Sequence, residues 1–77
     1  MTKAEFLKSK EYREMMDKIR SYSKGFEFTI PFYKMTSEQK NAMNVVLRNA
    51  VEEGLIESIS IGLSLEGNIT EEKYKKI

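Results

Sequence analysis

Two segments of the 77-residue chain alternate strictly between apolar side chains and polar or small ones. Gly25 to Phe32 reads Gly-Phe-Glu-Phe-Thr-Ile-Pro-Phe, and Ser58 to Leu65 reads Ser-Ile-Ser-Ile-Gly-Leu-Ser-Leu. Successive side chains of a strand point to opposite faces, so each segment gathers four apolar residues on one face and predicts a half-buried strand. Pro31 has no amide hydrogen to donate, which places the first strand at a sheet edge.

The apolar spacing elsewhere is helical. In Thr2 to Lys24, Tyr12, Met15, Met16, Ile19 and Tyr22 fall on one stripe at intervals of three and four, and Thr2-x-x-Glu5 has the form of a capping box. Phe6 and Leu7 are out of phase with that stripe and Lys8 would point inward, which predicts a break near Ser9. Gly25 suits the position beyond the helix end, where a left-handed backbone costs glycine little. A second helix runs from Thr36, with Gln39 three residues on, to Glu53, and Gly54 terminates it with Leu55 behind. Met43, Val46, Leu47 and Ala50 form its inward stripe. Ser37, Asn41, Asn44, Arg48 and Glu52 line up on the opposite face, with Val45 beside them.

One helix between two strands is the connection a parallel pair needs, so Gly25 to Leu65 suits a right-handed βαβ unit, with an antiparallel arrangement as the alternative. Two strands alone make a poor sheet, so the last segment matters. Gly67-Asn68 suits a hairpin turn that would return Ile69 onward as a strand. Against this, Thr70 followed by Glu71 and Glu72, then Lys75 and Lys76, suits a short helix and its dipole, and the three-residue spacing of Tyr74 and Ile77 favours that helical turn. The expected fold is a single small α+β domain over residues 1–77: helix, strand, helix, strand, then a short C-terminal helical turn or hairpin return. The order of elements, with Glu53-Gly54-Leu55-Ile56 leading into a strand and then Gly67-Asn68, also resembles the winged-helix family over the C-terminal half, which implies a DNA-binding accessory protein. The likeness stops at Ser37 to Glu53, where no glycine or turn signal divides the segment into the two helices of a helix-turn-helix.

Composition removes several classes of function. There is no histidine and no cysteine, so the commonest general base, thiolate nucleophiles, disulfides and thiolate metal sites are all missing. No serine lies in a nucleophile-elbow setting. Glu52-Glu53 and Glu71-Glu72 are adjacent pairs, which diverge on a helix and make poor metal clamps. The expectation is a non-enzymatic protein without cofactor, metal or small-molecule substrate. The N-terminus carries Lys3, Glu5, Lys8 and Lys10, and no long apolar run follows, so neither a secretory leader nor a membrane span is expected and the cytoplasm is the default location.

The net charge is only +1, but residues 1–24 hold seven basic and four acidic side chains, residues 25–72 three and eight, and residues 73–77 three and none. Basic ends flank an acidic middle.

Two surfaces are left as candidates. Ser58, Ser60, Gly62 and Ser64 form a flat, uncharged row of the kind exposed strands normally avoid, so contact with a protein partner, or a homodimer across this strand, would cover it; Val45 on the helix is added to this protein-binding set. Coverage by another part of the same chain would explain the row equally well. The alternative is DNA binding, with Asn41, Asn44 and Arg48 at base edges and Lys40, Lys73, Lys75 and Lys76 at phosphates. The reading taken from the sequence is a small regulatory or inhibitory accessory protein that acts by protein–protein contact.

Overall fold

Helix boundaries follow the capping chemistry closely in the computed structural model, which describes residues 2–77. Helix α1 is a short turn, Lys3–Leu7, and α2 spans Lys10–Ser21. Ser9 separates them by leaving helical geometry and accepting a hydrogen bond from the Tyr12 N–H at 3.1 Å, so the predicted break is an N-cap. Helix α3, Ser37–Glu52, starts with a complete capping box: the Gln39 N–H donates to Thr36 Oγ1 at 3.2 Å and the Thr36 N–H to Gln39 Oε1 at 2.9 Å. Gly54 follows with φ at +74°.

Helix α2 stops three residues short of Lys24. Tyr22 turns to an extended backbone and lays its ring beside Phe26 and Phe28, with centroids 4.7 and 5.1 Å away. Aromatic packing outweighs one more helical turn. Gly25, at φ +88°, therefore sits in the turn leading to the sheet, and its N–H donates to the Lys76 carbonyl at 2.8 Å.

Three strands form one sheet: β1 is Glu27–Ile30, β2 is Ile56–Leu63 and β3 is Ile69–Lys76. Their order is β1-β3-β2 and both pairings are antiparallel. The parallel crossover is thus excluded, because β3 lies between the two strands that α3 connects. The C-terminal segment is the central strand, not a helical turn. Backbone pairing on both edges and burial of Tyr74, whose ring stacks near Phe28 at 5.9 Å, outweigh the local charge pattern that favoured a helix. The hairpin implied by the winged-helix likeness is present, turning at Gly67 with φ +84°. Its two-helix motif is not: α3 is uninterrupted, and only a three-residue 3₁₀ turn, Phe32–Lys34, precedes it.

β1 is half its predicted length. Pro31 ends it, and Phe32 leaves the sheet to become a buried residue of the 3₁₀ turn. The core is Phe6, Met16, Ile19, Phe32, Val46, Leu47, Ala50, Ile56 and Tyr74, with no buried charged side chain among the described residues. Of β2, only Ile56 belongs to it. Ile59, Ile61, Leu63 and Leu65, predicted to be the buried face of the second strand, are exposed. The helices cover the end of the sheet at Ile56 and Tyr74, and the hairpin extends past them.

A hairpin with an exposed apolar row

The candidate site grows from this overhang. Strand β2 bonds to β3 on one side only, so its other edge offers unpaired backbone groups to solvent. Two register irregularities, between Ser58 and Ser60 and between Gly62 and Leu63, interrupt its ladder with β3. Exposure rises along the strand, from 1 % at Ile56 to 45 % at Ile59, 53 % at Ile61 and 64 % at Leu63. Leu65 in the turn is fully exposed, and Ile69 opposite Leu63 adds to the same patch. Glu57 is the only charged residue in β2.

The serine and glycine row has more varied roles than its pattern implied. Ser58 pairs with Tyr74 and Ser60 with Lys73, and both are exposed. Gly62 sits opposite Glu71, whose Cγ would lie 2.7 Å from a Cβ built there, so glycine makes room for that side chain. Ser64 belongs to the turn: its hydroxyl accepts from the Asn68 N–H at 3.2 Å and its own N–H donates to the Asn68 carbonyl at 2.9 Å. The same chain does cover β2, but through β3 and along one edge only.

Val45 lies elsewhere. It lines an open groove of about 590 Å³ between α1, α2 and the start of α3, with Phe6, Met15, Ala42 and Asn41. It is half-buried against the core rather than part of the hairpin surface.

The residues assigned to nucleic acid divide between two faces. Asn41, Asn44 and Arg48 are exposed along α3, as the helical spacing required, and Lys40 is half-buried near them. Asn44 and Arg48 line a second groove of about 550 Å³ with Leu47, Val51 and Tyr74, and Arg48 shares it with two carboxylates, Glu52 and Glu72. Lys73 and Lys75 flank the buried Tyr74 in β3, so they point to the sheet face away from the helices. There they meet acidic partners: Lys73 Nζ is 3.0 Å from Glu27 Oε1, and Lys75 stands between Glu27 and Glu57 in the ladder. Lys76 lies at the strand end opposite Ile56. Lys73 and Lys75 therefore do not converge with the polar line of α3, and Lys76 shares the Tyr74 face at the strand end.

Tyr74 closes the floor of the second groove. Its hydroxyl donates to Glu72 Oε2 at 2.5 Å, and its pKa is raised above 10.0, first by burial and then by the hydrogen bond and negative charge of Glu72. The phenol is therefore held neutral as a structural donor.

Among the described residues no cluster of Asp, Glu, His or Cys could hold a metal ion, and no helix is long and apolar enough to cross a membrane. Comparison with protein-family profiles, with characterised proteins and with solved structures finds no match for the chain.

Sequence reasoning missed the apolar row as a surface because strict alternation is the usual mark of a half-buried strand. A signal was present in the composition of β3: apart from Ile69 and Tyr74, its polar and charged residues leave little for a second buried layer around Ile59, Ile61 and Leu63.

Proposed function

We propose that this chain is a small accessory protein that acts by binding another protein through its β2–β3 hairpin. The carrying observation is the row Ile59, Ile61, Leu63 and Leu65 exposed along an open strand edge. The largest apolar patch on a small protein is often its functional surface, and an open edge adds backbone hydrogen bonds to the apolar contact. Regulation or inhibition of the partner is the role that suits so small a chain without catalytic chemistry, and the absence of cysteine suits a cytoplasmic setting. The DNA-binding alternative draws support from the exposed line Asn41, Asn44 and Arg48. It is the weaker reading because phosphate binding needs converging cations, whereas Lys73 and Lys75 face away from the α3 line and Lys73 is paired with Glu27.

The test is capture from a cytoplasmic lysate with the tagged chain and with the Leu63→Lys variant, each with and without nuclease. The protein-binding reading expects the same protein retained with and without nuclease and lost with Leu63→Lys. Retention that vanishes with nuclease and survives Leu63→Lys would reverse the order of the two readings.

A further inference from the structure

The proposed hairpin surface does not specify its own occupant, but its charge and sequence symmetry narrow the choice. We infer, resting on the reading of the hairpin as the binding surface, that the occupant is a second copy of this chain. The two β2 strands pair antiparallel about a two-fold axis at Ile61, joining two three-stranded sheets into one of six.

Symmetry within the strand carries this register. With the axis at Ile61, each Ile59 faces Leu63 of the other copy and the two Ile61 side chains face each other. Ser60 faces Gly62 and Ser58 faces Ser64, so from Ser58 to Ser64 small residues meet small ones and apolar residues meet apolar ones; the next pair out, Glu57 with Leu65, is the one mismatch. The axis falls in Ser60–Gly62, the run between the two register irregularities. Charge selects the direction. Glu57 is the only ionised side chain of β2; parallel pairing in register would set two Glu57 carboxylates side by side, whereas the antiparallel pair separates them to opposite ends.

Area sets the strength to expect. Ile59, Ile61, Leu63, Leu65 and Ile69 together expose on the order of 600 Å², at the top of the range of about 300–600 Å² for the largest apolar patch of a typical monomer. Edge pairing covers only part of this area on each copy, so the self-contact falls at the small end of the range for specific interfaces and its backbone ladder carries much of the attraction. The other sheet edge offers no comparable site, since β1 has four residues and is followed by Pro31.

The experiment is sedimentation equilibrium of the full chain from micromolar to millimolar concentration, for wild type, Ile61→Lys, Ile61→Glu and an equal mixture of the two variants. Ile61 is half exposed, so both variants should keep the wild-type circular dichroism spectrum when dilute. Wild type is expected to reach twice the chain mass. Each variant alone should dimerise at least about tenfold more weakly, because like charges face one another at the axis, and the mixture should recover a dimer of one lysine and one glutamate chain. A wild type that stays at the mass of one chain overturns the self-pairing, and so does dimerisation of both variants at wild-type strength. A mixture that stays monomeric overturns the register at Ile61. Loss of self-pairing leaves the lysate experiment free to stand, because Leu63-dependent capture of a different protein would still locate binding at the hairpin.

Discussion

Ile56 and Ile61 are the same residue type in one strand, five positions apart, at 1 % and 53 % exposure. Truncating each to alanine separates core from overhang. Ile56 packs in the cluster of Val46, Leu47, Ala50 and Tyr74, so Ile56→Ala loses both the transfer free energy of the removed carbons and the contacts around the resulting cavity. That costs about 3 kcal/mol, within the usual range of about 2–5 for a buried isoleucine. Ile61→Ala removes atoms already half in water and leaves no closed cavity, so it costs under about 1 kcal/mol. A domain of this length has roughly 4–11 kcal/mol in total, and the first loss is a large share of it. With a urea m-value of about 1 kcal/mol per molar, the midpoint should fall by about 3 M for Ile56→Ala and by less than about 1 M for Ile61→Ala. The assay is urea unfolding followed by far-UV circular dichroism at two low protein concentrations, so that linked association does not enter the comparison. Equal losses for the two variants, independent of concentration, would refute the division of β2 into a buried start and an exposed remainder.

Three further outcomes follow from the same geometry. The raised pKa of Tyr74 means that its contribution to stability is complete below 10.0, the ordinary tyrosine value, and is lost as pH rises toward the higher folded-state value; alkaline denaturation followed by circular dichroism should therefore be shallower in Tyr74→Phe. Gly54→Ala forces a side chain into φ +74° and should cost about 1 kcal/mol in thermal unfolding, although space around the new methyl is open. Thr36→Ala removes half of the α3 capping box and should cost about 1 kcal/mol in the same assay, while Thr36→Ser should cost much less.

Local chemistry made the helices legible from sequence. Ser9, Thr36 and Gly54 announce their boundaries through groups within three or four residues, and no distant contact overrides them. β3 was obscured because its only buried side chain is Tyr74, and Glu71, Glu72, Lys75 and Lys76 mimic the charge order of a helix. Its strand form depends on pairing with β1 and β2, which are distant in sequence. The exposed row was obscured for the opposite reason. Ile59, Ile61 and Leu63 carry the local pattern of a buried face, and only the reach of the helices, which ends near Ile56 and Tyr74, leaves them outside. Asn41, Asn44 and Arg48 were placed correctly on one helix face, since that follows from helical spacing; the separation of Lys73 and Lys75 from them depends on sheet topology.

Hairpin recognition is tested most directly by placing a photo-cross-linking amino acid at position 63 and, in a separate chain, at position 48, then irradiating cells that express each. The hairpin account predicts a discrete protein adduct from position 63, at twice the chain mass if the occupant is a second copy, and none from position 48. Adducts from position 48 alone, whether to protein or to DNA, would contradict it and make the outer face of α3 the working surface.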